Sequence, residues 1–537
     1  MKKWKVLAVL LCMVLCLTNL AGCKKSEGGK EADKQSAANG KTSEEATVTP
    51  SSNLNQEGFP IVNDPVTMTV FGSRDPNHAK WKDVRIFKEY EKMSNIQMDY
   101  QEVPNDGFTE KKQLLFASNE LPDVFIRCSF TPAEITQYGV ESQQLIPLDN
   151  LIEQYAPNLK KLMEKDSTIK DAITASDGHI YTLPSVDLSE SGHISFKQFI
   201  NTKWLKAVGM EVPKTTEDLK AVLHAFKDKD PNGNGEQDEI PLGIRDTGAI
   251  YSLGGSFGLE HQMRDTYNLV DGKLHNWLCD DEFKEYLQFL NELYTEGLLW
   301  SDYYKNDLAS WRSNLASAAY GVMYMPYTDV FKNVEDQYEG FDALTGPNGS
   351  SIWSDVNISD SVIGAFAISN TCKEPEAAIR WVDYFYGDEG SVFCRYGIEG
   401  ETFQYDENGQ PQISDDIANA KEGFMTALGK INLVPGGGFP SLITDKTDGI
   451  VASQKTKEAA ALLSDNLPGT IVPKPALSIE DGERVNTIEQ DLFTYRDEAV
   501  TKFIIGEWGF NKWDDYCKTM EKTGIKELET IYNNSLK

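Results

Sequence analysis

The hydrophobic and polar positions of this chain alternate between strand-like and helix-like patterns. Residues 66–71 are rich in β-branched residues, and residues 96–100 alternate apolar and polar side chains as a half-buried strand does. Residues 81–93 and 111–118 carry apolar side chains at helical spacing, and residues 122–126 predict a further strand. Strands that alternate with helices of this length predict βαβ units and a parallel sheet that is covered on both faces.

A second series of the same kind follows, and residues 196–200 between the two series are extended and apolar. We interpret 196–200 as a crossing between two lobes. The second series consists of helix 216–226, strand 240–244, helix 281–296 and strand 320–325, and a return strand at 362–368 leads into helix 375–386. The chain is therefore predicted to be an α/β protein.

The first 57 residues have a different pattern. Three lysines (Lys2, Lys3 and Lys5) precede an uncharged apolar run at 6–17 that is too short for an ordinary membrane span. The sequence Leu20-Ala21-Gly22-Cys23 resembles the bacterial lipobox, in which the cysteine becomes the lipidated first residue of the mature chain. We predict a signal peptide at 1–22, a lipid such as palmitate on Cys23, and a solvated tether over 23–57 that reaches roughly 30 Å. The alternative is an ordinary signal peptide that contains a cysteine.

Composition narrows the class of ligand. The whole chain has a net charge of −31, and loss of three lysines with the signal peptide leaves 49 Lys and Arg against 83 Asp and Glu. Such a surface repels phosphate backbones, so we expect no nucleic-acid partner and no membrane contact other than the lipid anchor. Five cysteines remain after Cys23 without a C-x-x-C pair, which predicts buried free thiols rather than a zinc site or a disulfide framework.

Eight short motifs along the chain carry a resemblance to a known family. They are Ile146-Pro147-Leu148-Asp149, Asp177-Gly178-His179-Ile180-Tyr181, Asn201-Thr202-Lys203-Trp204-Leu205, Val212-Pro213-Lys214-Thr215, Gly346-Pro347-Asn348-Gly349, Asp388-Glu389-Gly390, Tyr396-Gly397-Ile398-Glu399-Gly400 and Phe503-Ile504-Ile505-Gly506-Glu507. From about residue 60 to the C-terminus, the chain resembles the family 1 extracellular solute-binding lipoproteins of ABC importers, particularly the subgroup similar to alginate-oligosaccharide-binding proteins.

The resemblance implies a two-lobed fold of the type II periplasmic-binding-protein kind, with a multi-strand hinge. It implies a non-enzymatic, monomeric protein on the outer face of a bacterial cell membrane, which captures an oligosaccharide between its lobes and delivers it to ABC permease subunits. We assign 58–195 and about 363–430 to the N-lobe, and 196–362 and about 431–537 to the C-lobe.

The loop that begins at Asp230 matches the start of an EF-hand calcium loop. Oxygen-bearing side chains at Asp230, Asn232 and Asn234 occupy positions 1, 3 and 5, Gly235 occupies position 6, and Glu236 offers its carbonyl at position 7. The usual glutamate at position 12 is absent, and the family resemblance implies that Asp238 and Glu239 replace it. The alternative is a polar turn that satisfies its own backbone. We predict a structural Ca²⁺ site.

Candidate ligand contacts follow the ends of predicted strands, where open α/β sheets bind their ligands. Sugars need aromatic faces for their C–H surfaces and planar polar groups for their hydroxyls. The candidates are Arg74, Asp75, Arg127 and Phe130 in one lobe, and Arg245, Asp246, Tyr327 and Trp353 in the other.

Two enzyme classes, an α/β hydrolase and a glycoside hydrolase, are alternatives to a sugar-binding protein. Gly254-Gly255-Ser256-Phe257-Gly258 matches the nucleophile elbow of α/β hydrolases, but no convincing strand precedes it and no histidine follows His275. A secreted glycoside hydrolase would need two paired carboxylates. The 83 Asp and Glu residues of this chain offer many candidate pairs, so the sequence does not exclude this class of enzyme. Within the binding class, a peptide is the alternative ligand.

Overall fold

The computed structural model describes residues 53–536, with gaps at 246, 261–265, 306, 329–330, 332, 357–360 and 470–476. The predicted signal peptide, Cys23 and most of the tether lie outside the described residues. Within the described ranges, no helix has the length and apolar character that a bilayer span requires.

The strands form two principal sheets and two hairpins. In chain order they are β1 Val66–Arg74, β2 Ile96–Pro104, β3 Val124–Ile126, β4 Thr182–Asp187, β5 Lys197–Asn201, β6 Ile240–Gly243, β7 Tyr267–Val270, β8 Lys273–Asn276, β9 Tyr320–Met325, β10 Tyr338–Gly340, β11 Ser361–Ile368, β12 Phe403–Tyr405, β13 Pro411–Ile413 and β14 Leu442–Ile443. The first sheet has the order β14-β4-β11-β3-β1-β2 and the second the order β10-β5-β9-β6.

Helices cover the sheets and continue to the C-terminus. They are α1 Arg85–Ser94, α2 Phe108–Ser118, α3 Pro132–Ile135, α4 Asp149–Tyr155, α5 Pro157–Lys165, α6 Ser167–Ile173, α7 Glu190–His193, α8 Thr202–Val208, α9 Thr216–Asp228, α10 Asp281–Thr295, α11 Leu308–Ala316, α12 Pro375–Asp383, α13 Asp388–Tyr396, α14 Asp415–Ala418, α15 Phe424–Leu428, α16 Gln454–Leu463, α17 Ile479–Ile504, α18 Trp513–Thr523 and α19 Ile525–Ser535.

Alternate side chains of the first sheet enter two separate hydrophobic clusters. Val70 belongs to one cluster and its neighbour Phe71 to the other, and Ile126 and Phe125 divide in the same way. Because successive side chains of a strand point to opposite faces, this division means that the sheet is buried on both sides. β1 pairs in parallel with both β2 and β3, as the βαβ pattern predicts.

A third, larger cluster surrounds the second sheet and includes buried side chains of α9, α10 and α17. The chain passes between the sheets three times, in the β4–β5, β10–β11 and β14–α16 segments. This arrangement confirms the prediction of a two-lobed α/β fold with several connecting segments. β14 pairs with β4 and so belongs to the first sheet, although residues 442–443 lie beyond the approximate limit of 430 that we predicted for the N-lobe. The exact lobe boundaries stay a prediction.

The strands at 66–71, 96–100, 320–325 and 362–368 are confirmed, although the first two extend further. Residues 196–200 are not merely a crossing, since β5 is an internal strand of the second sheet. The predicted helix 81–93 is broken at Val84, whose backbone is extended, so that α1 begins at Arg85. The amides of Arg85 and Ile86 donate to the carbonyls of Lys430 and Ile431, and this tertiary contact supplies partners for the first turn of the helix.

Candidate functional site

The three crossings identify the edges of the two sheets that face each other. β4 and β14 run parallel to each other, and both end where the chain leaves the first sheet. β11 runs antiparallel to β3 and β4, so it enters the first sheet at that same edge. In the second sheet, the start of β5 pairs with the end of β9, and β6 runs parallel to β9. The carboxyl ends of β1 and β3 therefore face the carboxyl ends of β6 and β9, which places a cleft between the lobes.

The edge of the first lobe carries a cluster of Arg74, Asp75, His78 and Arg127. Arg127 lies just after β3 with a φ of 56°, and its Nη1 lies 3.0 Å from Nδ1 of His78. The other ring nitrogen of His78 lies 2.8 Å from the carbonyl oxygen of Pro435. Arg74 Nη1 donates to the His78 carbonyl at 3.2 Å. The ends of β1 and β3 are thus joined to the 435–438 loop through His78, by its backbone carbonyl on the β1 side and by its imidazole on the β3 side.

Burial controls the charges in this cluster. It lowers the pKa of His78 to about 4, with a further contribution from Arg127, so the imidazole is neutral at physiological pH. Burial also lowers the pKa of Arg127 to about 10, while Asp75 opposes that shift, so the guanidinium stays charged. Arg127 is 6 % exposed, and its Nε is buried without a hydrogen-bond partner. The guanidinium is therefore held in place without having all its donors satisfied.

Gly436 permits the close approach of the 435–438 loop to this cluster. Its φ is +75°, and a Cβ at that position would lie 2.5 Å from Asp75 Oδ2 and 2.9 Å from Arg127 Nη2. Glycine avoids both the steric penalty of positive φ and the clash.

The edge of the second lobe carries Tyr327, Arg245 and Lys197. Lys197 Nζ lies 5.1 Å from the centre of the Tyr327 ring, and the Arg245 guanidinium lies 5.5 Å from the Phe196 ring. Tyr327 and Arg245 are partly exposed, so both can contact a ligand in the cleft. Asp246, which follows Arg245, lies outside the described residues.

Lys197 lies at the hinge and contacts backbone from two sides of it. Its ammonium donates to the carbonyl of Ser191 at 2.7 Å and to that of Pro326 at 3.0 Å. The side chain is 1 % exposed, and burial lowers its pKa to about 7. Three nearby carboxylates, Asp355, Asp187 and Asp448, oppose this lowering of the pKa. Each lies on a different crossing: Asp187 at the end of β4, Asp355 between β10 and β11, and Asp448 between β14 and α16.

Phe130 and Trp353 lie in the core rather than on the cleft surface. Each is 1 % exposed, and the Trp353 Nε1 donates to the Phe196 carbonyl at 3.0 Å. Phe130 packs against Phe125 and Phe116. A sugar ring cannot stack on an aromatic ring whose faces are already covered, so we omit both residues from the ligand set proposed below.

Sequence reasoning missed His78, Lys197 and Gly436. His78 and Pro435 are 357 residues apart, and no local pattern connects them. Lys197 had one available signal, since it is the only charged residue of the strand Lys197–Asn201.

The candidate calcium loop is closed by its own side chains. Asp230 accepts from the amides of Gly233 at 2.9 Å and Gly235 at 2.9 Å. The side-chain amides of Asn232 and Asn234 donate to Asp238 at 2.9 and 3.1 Å. The predicted residues are therefore brought together around Asp230 and Asp238.

Glu239 adds an unsatisfied group to this loop. Its Oε1 is buried without a hydrogen-bond partner, and burial raises its pKa, with further contributions from Asp238 and Asp230. In the part of the chain that the structure describes, no three His, Cys, Asp or Glu side chains are arranged as a ready-made metal site.

The G-x-S-x-G segment lacks the geometry of a nucleophile elbow. Gly254–Phe257 is a 3₁₀ turn, the residues before it form another 3₁₀ turn (Ala249–Tyr251), and Ser256 Oγ donates to the Leu344 carbonyl at 2.7 Å. The motif requires a strand before the serine and an exposed hydroxyl, and neither is present here.

Residues 75–392 match the family model of the bacterial extracellular solute-binding proteins. The chain belongs to this family. The prediction made from the short motifs is thereby confirmed.

Two curated proteins are similar to most of the chain. The fructooligosaccharide ABC transporter substrate-binding protein FusA of Streptococcus pneumoniae is 28 % identical over 480 residues, which cover 85 % of this chain and 86 % of FusA. Lipoprotein LipO of Bacillus subtilis is 24 % identical, covering 83 % of this chain and 88 % of LipO.

Solved structures of other proteins share the fold. FusA in complex with kestose has a TM-score of 0.74 at 26 % identity, covering 87 % of this chain and 98 % of FusA, and an EF-hand mutant of FusA in complex with fructo-nystose has the same TM-score at 25 % identity, with the same coverage. The alginate-binding protein AlgQ2 without calcium ion has a TM-score of 0.72 at 20 % identity, covering 88 % of this chain and 98 % of AlgQ2.

Proposed function

We propose that this solute-binding protein captures an oligosaccharide between its lobes and delivers it to the permease of an ABC importer. Ligand contacts from both lobes would favour the closed arrangement of the hinge, which the permease would recognise. Binding and hinge closure require no covalent step.

The facing edges of the two lobes carry this proposal. The ligand set is Arg74, Asp75 and Arg127 from the first lobe, with Arg245, Asp246 and Tyr327 from the second. Arginine and carboxylate groups match pairs of sugar hydroxyls, and an aromatic ring suits the C–H face of a sugar. FusA, which is similar over most of the chain, is named for fructooligosaccharides and has been solved with kestose and fructo-nystose.

Calorimetric titration with a panel of oligosaccharides that includes kestose, and with a panel of peptides, tests the ligand class. We expect heat from at least one oligosaccharide and none from the peptides. Heat from peptides alone would refute the sugar assignment, and release of shorter sugars during incubation would refute a purely binding role.

Tyr327→Ala tests the second-lobe edge, with Tyr405→Ala as a matched control. Both tyrosines lie beside a lysine ammonium, at 5.1 Å for Tyr327 and 5.0 Å for Tyr405, but Tyr405 lies on the β12–β13 hairpin. Loss of a stacked ring should weaken binding about 10-fold, corresponding to roughly 1.4 kcal/mol. We expect that loss for Tyr327→Ala alone, and equal affinities in the two variants would exclude Tyr327 from the site.

A lipid on Cys23 would keep the protein beside its transporter. LipO, a relative over 83 % of this chain, is named as a lipoprotein. We expect a Cys23→Ser variant to bind the same sugar but to lose its retention on cell membranes. Membrane retention of that variant would contradict the proposed anchor.

A Ca²⁺ ion would fit the 230–239 loop. Asp230, Asn232, Asn234, Asp238 and Glu239 would supply side-chain oxygens and Glu236 its carbonyl, in keeping with the preference of Ca²⁺ for six to eight oxygen ligands. The buried, unpartnered Glu239 Oε1 beside two other carboxylates supports this proposal, because a cation would neutralise their repulsion. The ion would stiffen the loop between α9 and β6.

Thermal unfolding with and without a calcium chelator tests this site. At 100 times its dissociation constant, Ca²⁺ would stabilise the fold by about 2.7 kcal/mol. Glu239→Gln should abolish the calcium-dependent rise in Tm, whereas Glu236→Gln should retain it because only the carbonyl of that residue is proposed to bind. A Tm that ignores the chelator in the unaltered protein would refute the site.

A further inference from the structure

Two cysteines lie side by side on the second lobe, although 238 residues separate them in the sequence. Cys279 ends the 3₁₀ turn Trp277–Cys279, and Cys517 lies in α18, which packs against that turn. The Cys517 thiol donates to the Cys279 carbonyl at 3.9 Å. This contact places the Cys517 sulfur against the backbone of Cys279.

An interaction between the two thiols makes them chemically unequal. It raises the pKa of Cys279 and lowers that of Cys517. Lys284 also lowers the pKa of Cys517, while burial, Asp514 and Glu521 oppose the shift. The thiolate therefore forms more readily on Cys517, and the thiolate is the reactive form of cysteine.

The surroundings of this pair differ from those of the other described cysteines. Cys279 and Cys517 are each partly exposed, so a small reagent can reach them. Cys128 and Cys394 are buried, and burial raises the pKa of Cys394 to about 11. Cys372 is partly exposed, but burial of its thiol raises its pKa to about 12. The thiols of Cys128 and Cys394 donate to carbonyls of Phe71, Ile126 and Ser391, whereas the Cys517 thiol donates to the carbonyl of another cysteine.

We propose that Cys279 and Cys517 are a disulfide-forming site, oxidised by exchange with a small-molecule or protein disulfide outside the cell. The Cys517 thiolate attacks one sulfur of that disulfide, and the other sulfur leaves as a thiolate. Cys279 then loses its proton and attacks the mixed disulfide at Cys517, which releases the second thiolate. The exchanging disulfide is reduced to two thiols, and the protons come from the two cysteines.

The resulting bond would tie α18 to the turn that leads into α10. Both cysteines pack on the hydrophobic cluster of the second lobe, and neither belongs to the two facing edges of the cleft. Closing a loop of this length restricts mainly the unfolded chain, so oxidation should raise stability and leave affinity for the ligand unchanged. The protein belongs to a family of extracellular solute-binding proteins. Disulfides persist outside the cell, so this location is compatible with the proposed bond.

Incubation of the native full-length protein with oxidised glutathione, followed by alkylation and peptide mapping, tests the proposal. We expect the peptides that contain Cys279 and Cys517 to be recovered as one linked pair, and Cys128 and Cys394 to be alkylated only after unfolding. The oxidised protein should melt about 5 °C above the reduced protein. Two thiols that remain alkylatable, or linkage only between separate molecules, would overturn the proposal.

Cys279→Ser tests the order of the two steps. Without Cys279 the reaction should stop at a mixed glutathione disulfide on Cys517, whereas Cys372→Ser should leave formation of the linked pair unchanged. Glutathione found on Cys279 in a Cys517→Ser variant at the same rate would contradict the assignment of Cys517 as the attacking thiolate. Peptide mapping of the unaltered protein decides the main proposal even if a variant folds poorly.

Discussion

The buried Lys197 predicts a specific dependence of stability on pH, which Lys197→Met would remove. In the unfolded chain this ammonium has the ordinary lysine pKa of 10.5, whereas burial lowers it to about 7 in the folded hinge. Between these values the unfolded state binds one more proton than the folded state. The free energy of unfolding therefore rises with pH across this window and gains nothing below pH 7.

The slope follows from one proton, at about 1.4 kcal/mol per pH unit. From pH 7.5 to pH 9.0 the unaltered protein should gain about 2 kcal/mol of stability relative to Lys197→Met. Packing differences between lysine and methionine add a constant, and other titrating groups are shared by both proteins, so neither changes this difference. The side chain is 1 % exposed, so solvent screening does not reduce the expected slope.

Urea denaturation of both proteins at pH 6.0, 7.5 and 9.0 measures the difference directly. Lys112→Met provides a matched control, since it removes another buried lysine that is paired with Glu134 at 2.8 Å. A constant difference for Lys197→Met would show that Asp355, Asp187 and Asp448 keep the ammonium charged, and would refute the reasoning.

Two further predictions concern Gly436, which lies at the edge of the first lobe, and Trp353, which lies in the core. Gly436→Ala should destabilise the protein by about 2–4 kcal/mol, because it adds a clash with Asp75 to the penalty of positive φ, whereas Gly437→Ala, with a φ of +62° and open space, should cost about 1 kcal/mol. Equal urea midpoints for the two variants would contradict the close approach. Trp353→Ala should lower the free energy of unfolding by about 3–5 kcal/mol with little change in the ligand affinity of the folded protein, and the opposite pattern in melting and titration experiments would return Trp353 to the ligand set.

Local patterns determined the order of strands and helices because burial leaves a periodic trace. β9 matched its predicted bounds, and β1 and β2 began at the predicted residues, which β-branched content indicated for β1 and alternation of side chains for β2. The helix predicted at 81–93 failed at Val84, where contacts with residues 430–431 override the local pattern. Trp353 and Phe130 were assigned to the cleft from their place after strands, but position along a chain does not say which face of a lobe will cover a side chain.

The α/β class, the resemblance to the solute-binding family and the oxygen-rich loop at 230–239 could all be predicted from the amino-acid sequence, because each depends on residues that are close together in the chain. The contact of Arg127 with His78, the burial of Lys197 near carboxylates of the three crossings and the contact of Cys517 with Cys279 emerged from the three-dimensional fold. These contacts join segments 49 to 238 residues apart, or depend on the burial of a single charge. Hydrophobic periodicity records how strongly each residue is buried, and it carries no information about which distant segment covers it.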